Sequence, residues 1–281
     1  AGQAGALRRL RMLHEAIMKR DAHDAALARL LPGGLADKLR DDATAVNRTE
    51  RLVVTVVMSD VRGYSGIAQR TDPMVLARQL DEHRREMNAA ILAEGGTVLQ
   101  YAGDAVVATF GAPFPQSDHR ERAVRACTAM HARQQALNEQ WARRGLEPFG
   151  LGIGVSTGEV AAALLGCDER REYSLVGDTM NLAQRLQTLA EAGQTVVSAA
   201  TAEALTSDEV IPLAPQPVKG RTGAVRAYRL VSPAERLAGV PARPAEPGVR
   251  KGIPGQRPDT DSRPAGTPRR RRRWALVRAA A

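Results

Sequence analysis

The sequence predicts an α+β domain with helices covering one face of a mainly antiparallel sheet. Three observations carry this reading. Thr97 to Phe110 reads as a hairpin, two strand-like stretches joined at Gly103-Asp104. Two long helical stretches, about Pro73 to Glu94 and about Asp118 to Arg144, alternate with strand-like runs instead of following each strand in turn. The glycines of GLGIGVSTG (Gly150 to Gly158) alternate with Leu151, Ile153 and Val155 in strand register, and no helix follows promptly. They therefore fail the context of a parallel dinucleotide-binding fold and read as places where backbone approaches closely within a sheet.

The elements follow in order. Leu7 to Arg40 reads as one or two helices broken at Pro32-Gly33-Gly34, a linker or dimerising handle within residues 1–50. The β-branched run Leu52 to Ser59 is a strand. Pro73 occupies a permitted first-turn position of the next helix, and Gly95-Gly96 stops it. After the hairpin and the second long helix come strands from Phe149 to Val160 and around Tyr173 to Val176, then a helix from Thr179 to Ala190. A strand at Thr195 to Ser198, a short helix, and strands near Val210 to Leu213 and Ala227 to Val231 complete a domain expected over residues 51–232.

Composition narrows the classes. The chain has 281 residues and 43% apolar content, enough for one large or two small domains with a buried core. Cys127 and Cys167 lie far apart without metal-type spacing, which argues against a disulfide framework or structural zinc. No apolar run approaches the roughly 18 residues of a membrane span, and no signal sequence opens the chain. The expected location is the cytoplasm, either as a whole protein or as the cytosolic part of a longer one, since the chain opens on Ala1 rather than Met. Of the net charge of +9, residues 241–281 hold +8. The body is thus nearly neutral, and nucleic acid is not an expected partner. Residues 233–281 are Pro-, Gly- and Arg-rich, too poor in large apolar groups to offset the entropy of ordering, and read as a disordered basic tail. All five histidines fall in helical, charge-rich contexts and read as surface residues.

Two carboxylates are the chemical signal. Asp60 follows the strand run and opens DVRGYSG, and Asp104 sits at the hairpin tip. Alone, each is an ordinary turn aspartate. On neighbouring strands they could hold Mg²⁺ ions against a triphosphate, because Mg²⁺ is usually bound by one or two carboxylates plus substrate phosphates. A third segment, EYSLVGDTMNLAQRL (Glu172 to Leu186), places Asn181 and Arg185 four apart on one helical face, where an amide and a guanidinium can position a ribose and neutralise a phosphate.

With VMSDVRGYSG, GGTVLQYAGDAVVATFG and GIGVSTGEV in this order and spacing, the chain resembles the class III adenylyl/guanylyl cyclase catalytic domain from about Leu52 to Val231. The resemblance implies a ferredoxin-like, palm-type antiparallel sheet and conversion of a nucleoside triphosphate to its 3′,5′-cyclic monophosphate and pyrophosphate. It implies two Mg²⁺ or Mn²⁺ ions held by Asp60, Asp104 and the Val61 carbonyl, and a turn including Gly63, Tyr64 and Ser65 whose amides face the phosphates. Asn181 orients the ribose, Arg185 stabilises charge on the α-phosphoryl group, and Lys219 reaches the terminal phosphates. It also implies a head-to-tail homodimer with carboxylates from one chain and the Asn and Arg from the other.

Gln100 stands where family adenylyl cyclases usually carry a base-reading lysine, Ser174 where they carry aspartate or threonine, and Ala163 where glycine is common. Gln100 can donate and accept, so with Ser174 it suits adenine and can also turn toward guanine. ATP is the expected substrate and the enzyme an adenylate cyclase in intracellular signalling. A guanylyl or dual-specificity cyclase, or a catalytically silent nucleotide-binding module, is the alternative. An RNA-binding sheet is excluded for want of stacking aromatics, with three Phe and four Tyr in the whole chain.

Overall fold

The central strand β1 (Glu50–Arg62) is buried from Val54 to Val57 and again at Ser59 and Val61, because its neighbours supply apolar contacts on both faces. Thr55, Val57, Ser59 and Val61 face one side, and Val54, Val56, Met58 and Asp60 the other. The protein is described by a computed structural model covering residues 48–167, 170–217 and 224–237. The helical handle, Lys219 and the tail beyond Leu237 lie outside these residues.

After β1 the chain forms α1 (Tyr64–Arg70), α2 (Pro73–Ala93), the hairpin β2 (Thr97–Ala102) and β3 (Ala105–Phe110), and α3 (His119–Arg143). Then come β4 (Gly150–Cys167), β5 (Arg170–Val176), α4 (Asp178–Leu189), β6 (Thr195–Ser198), α5 (Ala199–Ala202), β7 (Val210–Pro212), β8 (Gln216–Pro217), β9 (Ala224–Val225), β10 (Ala227–Leu230) and α6 (Pro233–Leu237). Asp72 caps α2 by accepting from the amides of Met74 and Val75, and Pro73 fills the first turn.

The main sheet runs β2-β3-β1-β4-β6-β10-β7, with β5 paired to the far half of β4. Every pairing is antiparallel except β4 with β6. The α+β, mainly antiparallel expectation is therefore met.

The helices divide between two faces, which corrects the expectation of one covered face. Met87, Ala90 and Ile91 of α2 and Ala123, Ala126, Cys127 and Met130 of α3 pack on Val57, Val106, Ala108, Phe110, Ile153 and Val155. On the opposite face, Met180 and Ala183 of α4 meet Val54 and Val56. The strand glycines make this second layer possible. A β-carbon on Gly154 would lie 2.1 Å from the Gln187 amide nitrogen and 2.3 Å from the Ala183 carbonyl oxygen.

Two further expectations are corrected. His83 and His119 are buried, because each finds a polar partner inside: His83 Nδ1 bonds to Gln134 Oε1 at 2.6 Å, and His119 Nδ1 to Thr55 Oγ1 at 2.7 Å. His131 bonds to Thr195, and burial presses its pKa down to about 4. Pro233–Leu237, assigned to the tail, are helical because Glu235 ties Ser232 and Arg229 together.

Candidate active site

β1 and the β2–β3 turn converge on the two predicted carboxylates. β1 continues through Asp60, which pairs with Gly152, so Asp60 belongs to the strand instead of following it. Asp104 occupies the turn after Gly103, whose φ of 63° lies in the left-handed region. β1 and β3 are hydrogen-bonded neighbours, and their register brings the turn to the end of β1. There the Val61 amide donates to Asp104 Oδ2 at 3.0 Å.

The Asp60 carboxyl is raised to about 6, first by burial and then by hydrogen-bonding contact with Asp104 and by its charge; Arg62 and Gln187 oppose the shift. Arg62 passes over Gly152, where a β-carbon would come within 2.3 Å of its guanidinium, and donates to the Gln187 carbonyl at 2.6 Å. The buried side-chain Nε2 of Gln187 faces Asp60 and favours its ionised form. Arg62, Gln187 and Gly152 were missed as site residues in the sequence, although the glycine alternation signalled a close approach there.

The donor chemistry fits a hard divalent cation. Two adjacent carboxyls are an electrostatic conflict that Mg²⁺ or Mn²⁺ relieves, and oxygen ligands suit both ions. No group of three or more His, Cys, Asp or Glu gathers as a metal centre among the described residues.

Gly63 adopts a φ of 71° and starts α1, and the Gly66 amide closes on the Gly63 carbonyl at 3.0 Å. The amides of Tyr64 and Ser65, at the first two helical positions, lie outside the helix's own hydrogen-bond ladder. Tyr64 packs edge-on against Phe149 at 6.1 Å between ring centroids, and burial, followed by the Asp104 charge, raises its hydroxyl pKa.

Gln100 is exposed on β2 immediately after a register shift at Val98, four residues before Asp104. A bulge of this kind re-aims a side chain. Ser174 pairs across the strands with Ala163, so two of the departures noted in the sequence face each other, and the Ser174 hydroxyl donates to the Glu172 carbonyl at 3.3 Å.

Asn181 and Arg185 do not join the carboxylates within one chain. Gln187 marks the side of α4 turned to Asp60, and at 3.6 residues per turn Arg185 lies about 160° and Asn181 about 120° round the helix from it. Asn181 is exposed and Arg185 half-buried.

A palm-type sheet with paired carboxylates at its strand ends, and an outward-turned Asn and Arg on the covering helix, defines a nucleotide cyclase catalytic domain. The family model described as "Adenylate and Guanylate cyclase catalytic domain" matches residues 46–232. The chain belongs to this family. It is 30% identical over 184 residues to Adenylate cyclase 1 of Rhizobium meliloti, covering 64% of this chain and 28% of that protein. It is 25% identical to the guanylate cyclase soluble subunit beta-2 of Rattus norvegicus, covering 83% and 34%. Among solved structures, the adenylyl cyclase CyaB from P. aeruginosa superposes with a TM-score of 0.63 at 30% identity, covering 66% of this chain and 96% of that one. The guanylyl cyclase Cya2 does so with a TM-score of 0.62 at 30% identity, covering 66% and 94%. The chain thus spans well under half the length of these curated relatives and nearly all of the crystallised domains. Relatives of both nucleotide specificities occur at similar distance. No helix among the described residues is long and apolar enough to cross a membrane.

Proposed function

We propose that the chain is the catalytic domain of an adenylate cyclase, converting ATP to 3′,5′-cyclic AMP and pyrophosphate at the interface of a head-to-tail homodimer. The observation that carries this is the contact between Asp60 and Asp104, with the Val61 amide holding Asp104 in place. Asp60, Asp104 and the Val61 carbonyl would hold two Mg²⁺ or Mn²⁺ ions. When bound, these ions acidify the ribose 3′-hydroxyl and neutralise the β- and γ-phosphates.

The chain's own residues do the rest. Arg62 and the Gln187 amide stand beside Asp60 and favour its charged form. The free amides of Tyr64 and Ser65, after the left-handed Gly63, face the phosphates. From the second subunit, Asn181 orients the ribose, and Arg185 meets the charge that builds on the α-phosphoryl oxygens as the 3′-oxygen attacks and pyrophosphate departs. The outward direction of both side chains supports a partner's nucleotide as their target. Lys219 is assigned to the terminal phosphates on sequence alone.

Gln100 and Ser174 form the base-reading pair. A neutral amide that both donates and accepts fits adenine N1 and N6, and the same amide rotated fits guanine O6, so GTP is the second substrate to test. A cytoplasmic location and a signalling role follow from this activity.

The experiment is a parallel assay of cyclic AMP formed from ATP and cyclic GMP formed from GTP, each with Mg²⁺ and with Mn²⁺. Cyclic AMP formation exceeding cyclic GMP formation is the expected result. Equal or reversed rates would reassign the substrate, and no product under any condition would leave a nucleotide-binding module.

A further inference from the structure

Arg84 is directed at the β2–β3 turn, whereas several arginines around it pair with carboxylates of the two helices. Arg85 pairs with Asp81, Arg133 with Glu86, Arg125 with Glu94 and Arg144 with Glu82. Arg84 forms no ion pair of this kind among the described residues. Its terminal nitrogen donates to the Gly103 carbonyl, the residue before Asp104, and its guanidinium carbon lies 5.0 Å from the centroid of the Tyr101 ring. Its Nε is buried without a hydrogen-bond partner. The two contacts span the hairpin tip: Tyr101 follows Gln100, and Gly103 precedes Asp104.

The turn they hold needs holding. Ala102 pairs with Ala105, leaving Gly103 and Asp104 as the tip, and Gly103 has the freest backbone of any residue type. Asp104 meets β1 only if this tip stays docked, since its Oδ2 accepts from Val61. An arginine fork bonded to the carbonyl and stacked on the ring fixes the tip from the α2 side, as a lysine point charge does not.

We propose that Arg84 is a positioning residue that sets the Asp104 carboxylate, and with it the divalent-cation site, by clamping the Tyr101–Gly103 turn from helix α2. This rests on the reading of Asp60 and Asp104 as cation ligands. Arg84 touches neither cation nor nucleotide in this role.

Charge and position predict opposite signs. A guanidinium near a cation site repels the cation, so if Arg84 acted only through its field, removing it would tighten cation binding. If it positions Asp104, removing it loosens binding.

The test measures Mn²⁺ binding directly, from the electron paramagnetic resonance signal of free Mn²⁺, on the full chain without nucleotide. The variants are Arg84→Met, Arg84→Lys, Tyr101→Leu and Asp104→Asn, with thermal unfolding of each. Arg84→Met should weaken Mn²⁺ binding about tenfold, the lower end of what outer-shell partners of a metal ligand contribute. Arg84→Lys should recover part of the loss by reaching the Gly103 carbonyl, and Tyr101→Leu should weaken binding by less than Arg84→Met. Unchanged or tighter Mn²⁺ binding in folded Arg84→Met overturns the proposal. Should Arg84→Met fail to fold, unchanged binding in Tyr101→Leu overturns it instead. Asp104→Asn separates the two levels: if it binds Mn²⁺ as the parent does, the cation site itself is wrongly placed and the clamp falls with it.

Discussion

The Val61 main-chain amide donates to the Asp104 carboxylate across 43 positions of sequence, joining the central strand to the hairpin tip. The two carboxylates of the site therefore have unlike structural roles. Asp104 satisfies a polar group of a buried residue, whereas Asp60 sits against another carboxyl. Asp104→Ala should lose turnover and also destabilise the fold by about 1–3 kcal/mol, because the Val61 amide is left unpaired. Asp60→Asn should lose turnover with stability at pH 8 unchanged or improved. Denaturant unfolding beside a cyclase assay distinguishes them; equal destabilisation by both would refute the asymmetry.

The same contact sets a pH dependence. Burial, and then Asp104, raise the Asp60 carboxyl from 3.8 to about 6, so the folded chain holds this proton more tightly than the unfolded chain. The Asp60 contribution to stability is therefore most favourable below the unfolded value and declines as pH rises between about 4 and about 6. Mn²⁺ should reverse the decline above this window and have little effect below it, where protons occupy the site. Thermal unfolding across pH with and without Mn²⁺ reads both trends. In Asp60→Asn this component of the slope and most of the Mn²⁺ response should vanish.

Much of this site is legible in the sequence because its parts are local: an aspartate at the end of a β-branched run, another beside a hairpin glycine, and Asn181 and Arg185 one helical turn apart. What escapes is set by contacts between distant segments. Arg84 lies 19 residues from the carbonyl that it holds, within a charged helical stretch that gives no sign of which arginine turns inward. His83 and His119 look like surface residues for the same reason, since their burial depends on Gln134 and Thr55. The alternating glycines foretell a close approach without naming its partner, α4, so the second helical layer is missed although the helix is found. Strand ends are also underestimated. β4 runs on to Cys167 because β5 pairs with it there.

The glycines of β4 should separate packing from site geometry. A methyl group at Gly154 meets the backbone of α4, which cannot yield without lifting the helix from the sheet. Gly154→Ala should cost about 3 kcal/mol or more, at the upper end of overpacking effects. At Gly152 the three atoms nearest an added methyl group all belong to the Arg62 guanidinium, which can swing aside at a smaller cost in stability. Its displacement would remove the cation that favours ionised Asp60, so this variant should remain folded yet need a higher pH for Mn²⁺ binding. Denaturant unfolding and a pH series of Mn²⁺ binding check the pair.

Gln100 follows the bulge of β2, exposed and four residues from the proposed cation ligand. Gln100→Lys replaces a group that can rotate between donor and acceptor with one that only donates. The ratio of kcat/KM for ATP over GTP should rise about tenfold, the discrimination that one buried polar mismatch can supply. An unchanged ratio would mean that Gln100 does not touch the base.

The placement of Arg185 gives the most demanding prediction. It lies about 160° round α4 from the side facing Asp60, so a chain that used its own carboxylates with its own arginine would have to reach around the helix. A head-to-tail pair removes the difficulty, since each site takes carboxylates from one subunit and Arg185 from the other. Asp60→Ala and Arg185→Ala chains should each be nearly inactive alone. Mixed in equal amounts under exchange, half of the dimers are hybrids, and each hybrid has one site with both mutations and one with neither, so activity should recover to about a quarter of the parent value. If every site were built within one chain, no mixture could restore activity at any ratio. Arg185→Ala should also lower kcat more than it raises KM, because its charge is needed most where the α-phosphoryl group is most negative, in the transition state.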